Sequence, residues 1–127
     1  MTYPSDVRYL HSARSAAASA TGSLSLTADT SMDLALLVDE LVANAMRHGA
    51  GEQVRLEVWA DAGDVVVRAS NEVGASSLQP VETWRLPGAD AESGRGLGII
   101  RRLCPSIEVS SLDGWVSIEC RLQVRDA

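Results

Sequence analysis

The stretch that decides the fold is "ELVANAMRHG", residues 40–49. It places a carboxylate, a carboxamide and an imidazole at Glu40, Asn44 and His48, four residues apart each time. Side chains with this spacing lie on one face of an α-helix. Asn44 is unusual in a helix interior, because its amide competes with the backbone hydrogen bonds. Periodicity alone therefore leaves two interpretations open, a solvated helix face or a functional site.

Two helices are predicted in the first half of the chain. The one that carries the quoted stretch runs from Thr30, which has the capping-box spacing with Asp33, to His48, with Gly49 as its C-cap. An alanine-rich helix precedes it, from Ser5 to about Ala20. The longer helix turns an apolar face to the core, made of Leu34, Val38, Leu41, Val42 and Ala45.

The remaining regular segments read as two hairpins and one further helix. Residues 54–60 and 64–71 alternate apolar and polar side chains and form a hairpin that closes between Asp61 and Asp64. "GRGLGIIRRL" begins a helix after a glycine cluster, and a second hairpin turns at Asp113 and Gly114. The order predicts an α+β two-layer sandwich, a mainly antiparallel sheet with three helices on one face. The inward side chains of the last strand are Val116, Ile118, Cys120, Leu122 and Val124.

Composition and charge exclude several classes of function. The chain has 127 residues, enough for one domain. Its net charge of −6 opposes direct binding of nucleic acid, which needs clustered basic side chains. No apolar run approaches the ~20 residues of a membrane helix, so we expect a cytoplasmic protein without membrane contact. Cys104 and Cys120 lack metal-ligand spacing and are expected to be reduced thiols, Cys120 buried in its strand.

A second motif, "SGRGLG", covers residues 93–98. A glycine-rich turn that runs into a helix exposes backbone N–H groups and the positive end of the helix dipole, which suit a phosphate group. Taken alone, the motif fits an ordinary helix-capping turn better than a phosphate site, and it has no Walker A lysine. The stretch before it, residues 74–93, has no periodicity, and we interpret it as a functional lid.

The two motifs together make the chain resemble the gyrase and histidine-kinase ATPase superfamily (GHKL, the Bergerat fold). The resemblance extends over about residues 5–124. Within the superfamily, "VRYLHSARSA" and "ESGRGLGIIRRL" are most similar to the bacterial stand-alone type of ATP-binding anti-sigma factor and serine/threonine kinase. The implied organisation is a single histidine-kinase-like ATPase domain over residues 1–127, with ATP and Mg²⁺ as cofactors.

The resemblance also implies roles for individual residues. Asn44 would ligate Mg²⁺ through its side-chain oxygen, and Glu40 would act as the general base. Arg47 and His48 occupy positions of phosphate contacts. The second glycine motif would surround the triphosphate with backbone N–H groups, through Gly94, Arg95, Gly96, Leu97 and Gly98.

One departure from the family pattern lies at the end of the second strand, in "ASNEVG". The family has an aspartate there that accepts a hydrogen bond from adenine, followed two residues later by glycine. This chain has Asn71 at the aspartate position and Val73 at the glycine position, with Gly74 displaced by one residue. A neutral acceptor is weaker than a charged one, so ATP affinity should fall. The amide can also present its NH₂ group, so the preference for adenine over guanine should weaken.

Three functions follow from the resemblance. The first is an ATP-binding transcription regulator that binds a sigma factor, phosphorylates a serine on an antagonist protein, or does both. The second is a non-catalytic protein-binding module with weak or lost nucleotide binding. The third is a histidine-kinase catalytic module that acts on a separate histidine-bearing partner. A homodimer remains an open alternative.

Overall fold

The computed structural model describes residues 2–4, 6–22, 24, 26–48, 53–72, 95–104 and 106–124. Over these residues it contains three α-helices, five strands and one 3₁₀ turn, at Val7–Tyr9. In chain order they are β1 (Thr2–Pro4), α1 (Leu10–Ala20), α2 (Ala28–His48), β2 (Gln53–Asp61), β3 (Asp64–Glu72), α3 (Arg95–Leu103), β4 (Ser106–Leu112) and β5 (Trp115–Leu122).

The five strands form one sheet in the order β1-β2-β3-β5-β4, with every neighbouring pair antiparallel. Helix α2 packs against β2, β3 and both other helices, so it occupies the middle of the helical layer. The core lies between this layer and the sheet. The predicted α+β two-layer sandwich is confirmed, and so is the predicted apolar face of α2. The five residues of that face are at most 4% exposed: Leu34, Val38, Leu41, Val42 and Ala45.

Both predicted hairpin turns are present. Ala62 and Gly63 have φ values of 53° and 84°, and Asp113 and Gly114 have 53° and 81°. Two consecutive left-handed residues match the right-handed twist of the strands that they connect, and glycine tolerates this conformation best. The inward side chains of β5 are buried as predicted, at the alternate positions Val116, Ile118, Cys120 and Leu122.

The start of α2 differs from the prediction. The helix begins at Ala28, and the capping side chain is Thr27 rather than Thr30. The Thr30 N–H donates to Thr27 Oγ1 at 3.1 Å, and the Thr27 hydroxyl donates to Thr30 Oγ1 at 2.9 Å. Thr30 is itself buried, so it serves as the inner half of the cap. Two threonines three residues apart offer two possible starts, and the sequence prediction selected the later one.

The N-terminal segment also differs from the prediction. Helix α1 begins at Leu10 instead of Ser5, and it ends at Ala20 as expected. The hydroxyl of Thr21 donates to the Ala17 carbonyl at 3.0 Å and helps to close the last turn. Strand β1 was not predicted, because three residues are too few to show an alternation. It joins the sheet edge through β2, with Tyr3 opposite Val54.

The sheet face away from the helices is partly covered by its own side chains. Arg68 lies 5.2 Å from the centroid of the Trp59 ring and pairs with Glu119 at 2.6 Å. This cover explains why Val66 is only 2% exposed although it points away from the core. Ser70, also on this face, shares a hydrogen bond of 2.8 Å with Ser117.

Two expectations from composition can be compared with the structure. Cys104 and Cys120 are free and buried, as expected of two reduced thiols. The neighbouring Cys104 thiol, followed by burial, raises the pKa of Cys120 well above that of an ordinary thiol. Within the described ranges, none of the helices combines the length and the apolar character needed to cross a membrane.

Candidate functional site

Asn44 is the most informative residue of the quoted stretch. It is 4% exposed, and its Nδ2 is buried with no hydrogen-bond partner among the described residues. A buried polar group without a partner costs about 1–3 kcal/mol. A solvated helix face does not explain such a residue, because Asn44 is not solvated. The structure therefore favours a site whose ligand would satisfy this amide.

Two carboxylates lie one turn before Asn44 on α2. Glu40 is half-buried, on the same helix face as Asn44. Asp39, which the sequence analysis did not single out, points toward α1, where Arg14 Nε lies 3.1 Å from its Oδ1. This contact is an ion pair without hydrogen-bond geometry, since Oδ1 is buried and accepts no hydrogen bond from the described residues. Burial raises the pKa of Asp39, and the charge of Arg14 offsets part of that effect.

Helix α3 packs against α2 and begins beside the middle of that helix. Its last turn, Arg101 to Leu103, lines a groove together with the first turns of α2, and the two helices pack along each other. They therefore run antiparallel. The eight-residue step from Arg95 to Leu103 is about 12 Å long at 1.5 Å per residue, which reaches the middle of α2. The glycine-rich helix start therefore lies beside the middle of α2, and Gly98, in the first turns of α3, is buried.

Asn71 lies at the same end of the molecule as Asn44. In the sheet, Leu122 pairs with Val65 beside the start of α2, and Asn71 pairs with Val116 six residues further along. Six strand residues span about 20 Å, and the fourteen helical residues from Thr30 to Asn44 span about 21 Å. Since α2 packs along β2 and β3, both asparagines lie at the far end of the sandwich.

The amide of Asn71 has a defined orientation. The residue is 3% exposed, and its Nδ2 donates to the Glu72 carbonyl at 3.2 Å. A carbonyl oxygen only accepts hydrogen bonds, so the amide atom that faces it must be the NH₂ group. Oδ1 is left as the atom that can accept from a ligand. The strand prediction had placed Asn71 on the inward face, and its burial agrees with that register.

Several predicted site residues cannot be compared with the structure. Gly74, Gly94 and the predicted lid, residues 74–93, lie outside the described residues, and so does Val73. The backbones of Arg47 and His48 belong to α2, and those of Arg95, Gly96 and Leu97 belong to the first turn of α3, but the described part does not extend to their side chains.

The polar groups present fit a nucleotide better than a metal ion alone. Among the described residues there is no group of three His, Cys, Asp or Glu side chains that could hold a metal. Mg²⁺ is commonly held by one or two protein oxygens together with phosphates and water. The Asn44 Oδ1 is one such oxygen, and its unpartnered Nδ2 can donate to a phosphate oxygen.

Comparison with known proteins agrees with this geometry. A family model described as the histidine kinase-like ATPase domain matches residues 3–119. The chain therefore belongs to the histidine kinase-like ATPase domain family, and the resemblance to the GHKL superfamily is confirmed. No curated protein sequence matches the chain.

A solved structure with the same fold is that of the RsbU and RsbW domains of Rv1364c from Mycobacterium tuberculosis. It aligns with a TM-score of 0.64 at 13% sequence identity. The alignment covers 100% of this chain and 33% of the other, so the chain spans about a third of that longer protein. At this identity the likeness concerns the fold.

Proposed function

We propose that the protein is an ATP-binding regulator of the anti-sigma-factor type. In this proposal it binds a sigma factor in the cytoplasm and, with Mg-ATP, phosphorylates a serine on an antagonist protein. The observation that carries the proposal is the buried, unpartnered amide of Asn44, one helical turn from Glu40. Asn71, which is also buried, lies at the same end of the sandwich. Membership of the histidine kinase-like ATPase family supports the nucleotide.

The proposed chemistry assigns each polar group a separate task. ATP supplies the phosphoryl group that is transferred, and Mg²⁺ offsets its negative charge. Asn44 would ligate Mg²⁺ through Oδ1 and donate from Nδ2 to a phosphate oxygen, and backbone N–H groups in the first turn of α3 would bind further phosphate oxygens. Glu40 accepts the proton of the serine hydroxyl as its oxygen bonds to the γ-phosphorus and the bond to the ADP oxygen breaks.

Phosphoryl transfer from Mg-[γ-³²P]ATP to candidate antagonist proteins tests the assignment of Glu40. We expect labelled antagonist with the wild type and at least about a hundredfold slower labelling with Glu40→Gln, the usual scale for loss of a general base. Glu57→Gln, the same change at a half-buried carboxylate on β2, is the matched control. Equal labelling by wild type and Glu40→Gln would rule out Glu40 as the base.

A second candidate, a protein-binding module without catalysis, is favoured by Asn71. Its amide is neutral, and its NH₂ group is already used by the Glu72 carbonyl. Only one neutral acceptor then remains for a base, and neutral hydrogen bonds are about half as strong as charge-assisted ones. Calorimetry that detects binding to a sigma factor, but no heat with Mg-ATP, would favour this candidate over the kinase.

A further inference from the structure

Strand β4 forms one edge of the sheet, and among the described residues it pairs with β5 alone. This pairing continues without a bulge over the whole of Ser106–Leu112. The opposite edge, β1, has only three residues and ends in Pro4, which cannot donate a backbone hydrogen bond. β4 has seven residues and contains neither proline nor a basic side chain. It therefore presents a free edge, the kind of surface to which an extended chain can add.

The turn after β4 determines which backbone groups face this free edge. Asp113 and Gly114 form a tight hairpin turn, so the residues on either side of it exchange two backbone hydrogen bonds. In an antiparallel pair, such bonded positions alternate with unbonded ones. Ile107, Val109 and Ser111 fall on the unbonded positions of β4. Their N–H and C=O groups point away from β5, and an extended backbone is the partner that satisfies all of them together.

An apolar side chain is exposed at the same edge. Val109 pairs with the buried Ile118, so it points toward the helical layer, yet it is 39% exposed. Ile107, two residues earlier on the same face, is half-buried. The described part of the helical layer thus leaves Val109 uncovered. A strand added beside β4 would cover it with an apolar side chain of its own.

The other face of β4 carries an unbalanced charge. Four side chains lie side by side across neighbouring strands, in the order Glu57, Arg68, Glu119 and Glu108. Arg68 lies 2.6 Å from Glu119 and 3.5 Å from Glu57, so two carboxylates already share its charge. Glu108 is exposed, lies directly opposite Glu119 and forms no ion pair with any described residue. Like charges in this position repel each other, and a basic side chain beyond Glu108 would offset the repulsion.

We propose that β4 binds an extended segment of a partner protein, which adds a sixth strand to the five-stranded sheet. The segment pairs with the backbone of Ile107, Val109 and Ser111. It places a basic side chain opposite Glu108, and the apolar side chains before and after it lie next to Ile107 and Val109. Since side chains alternate between the two faces of a strand, the recognised motif is apolar–basic–apolar. The proposal does not rest on the nucleotide site, because it uses none of the residues assigned to that site.

The charge of β4 favours a partner protein over a second copy of this chain. A second copy would present the same strand, which has Ile-Glu-Val at residues 107–109 and therefore a carboxylate where a basic side chain is needed. The net charge of −6 also opposes self-association and attracts a basic segment.

NMR titration of the ¹⁵N-labelled protein with two peptides tests the proposal. One is the capped peptide Ser-Thr-Thr-Val-Arg-Val-Thr-Thr-Ser, and the other has glutamate in place of the arginine. We expect the arginine peptide to bind at least about tenfold more tightly, with chemical-shift changes centred on β4. At a concentration about ten times its Kd, it should slow hydrogen exchange of the Ile107, Val109 and Ser111 amides about tenfold, because these amides then exchange only from the unbound protein.

Three variants make the test specific. Glu108→Lys should reverse the preference, so that the glutamate peptide binds more tightly than the arginine peptide. Glu72→Lys makes the same change at an exposed residue of β3 and should keep the wild-type preference. Val109→Pro removes an N–H group from the free edge without removing a bond to β5, and it should weaken binding of the arginine peptide at least about tenfold. If Val109→Pro fails to fold, the reversal in Glu108→Lys decides.

The proposal would be overturned if the arginine peptide caused no shift changes in β4 of the wild type at concentrations up to about 1 mM. Equal affinity of the wild type for the two peptides would also overturn it, and so would a folded Glu108→Lys variant that still prefers the arginine peptide. Shift changes in β4 that depend on protein concentration, without any peptide, would assign the edge to a second copy instead.

Discussion

At the scale of single residues, burial changes the interpretation of the quoted stretch. Helical periodicity placed Glu40 and Asn44 on the same polar arc, and a solvated face accounted for both. In the structure their burial differs. Glu40 is half-buried, whereas Asn44 is buried and its amide nitrogen has no hydrogen-bond partner among the described residues. Periodicity could not predict this, because the burial of Asn44 depends on the neighbouring elements. The resemblance to a known family, carried by two motifs together, is what pointed to Asn44 from the sequence.

Asn44→Ala should stabilise the protein in the absence of nucleotide. The substitution removes a buried amide that costs about 1–3 kcal/mol, and it introduces the best helix former. A small cavity offsets part of the gain, so we expect about 1 kcal/mol of added stability in urea denaturation. A loss of stability would mean that the Asn44 amide is satisfied within the protein.

Asn71→Asp should strengthen ATP binding and weaken the fold. A carboxylate accepts a stronger hydrogen bond, worth about tenfold in affinity. The same change places a negative charge against the Glu72 carbonyl, where the amide now donates, at a cost of about 1–3 kcal/mol. Titration with ATP and GTP, combined with urea denaturation, separates the two effects. If ATP affinity is unchanged, Asn71 does not contact the base.

The orientation of the Asn71 amide changes which nucleotide base, adenine or guanine, we expect the protein to prefer. The sequence left both its oxygen and its NH₂ group available, which would accept adenine and guanine alike. With the NH₂ group held by the Glu72 carbonyl, the free Oδ1 suits the amino group of adenine and not the O6 of guanine. We therefore expect the wild type to bind ATP more tightly than GTP in the same titrations.

At the scale of elements, α2 depends on its Thr27 cap. Thr27→Ala removes the acceptor for the Thr30 N–H and should destabilise the protein by about 1 kcal/mol. Ser31→Ala removes a hydroxyl from the same turn at an exposed position and is the matched control. Thermal denaturation of both variants measures the difference. If the two lose the same stability, the cap contributes little to α2.

The contact between α1 and α2 gives a prediction about pH. Because burial raises the pKa of Asp39 above its ordinary value of 3.8, the folded protein binds this proton more tightly than the unfolded chain does. Stability is therefore lost as the pH rises from 3.8 through the folded pKa. Asp39→Asn should raise the Tm at pH 7, and the gain should vanish in acid below that range.

Loss of the Arg14 ion pair opposes this gain, and Arg14→Gln measures that loss separately. A Tm that falls in Asp39→Asn at pH 7, by as much as in Arg14→Gln, would mean that the ion pair outweighs the burial of the carboxylate.

The elements differ in how far the sequence predicts them. Helix α2 and both hairpins have strong periodicity and clear turn residues, and the structure contains them within about three residues of the predicted ends. Strand β1 has only three residues and exists through its pairing with β2, which local sequence does not encode. Burial of Val66 on the outer sheet face likewise depends on Arg68 and Trp59, which meet only after the hairpin forms.

At the scale of the whole molecule, the two ends of the helical layer carry different groups of polar side chains. Asn44 and Asn71 lie at one end, and the other end carries the groove lined by Asp33 and Arg102.

The central claim is that this chain binds a nucleotide through Asn44. Calorimetric titration of the wild type and of Asn44→Ala with ATP and Mg²⁺ tests it most directly. We predict saturable binding at one site per chain in the wild type, weakened at least about tenfold in a folded Asn44→Ala variant, the scale of one lost charge-assisted contact. Absence of binding in the wild type, or equal binding in both, would contradict the account.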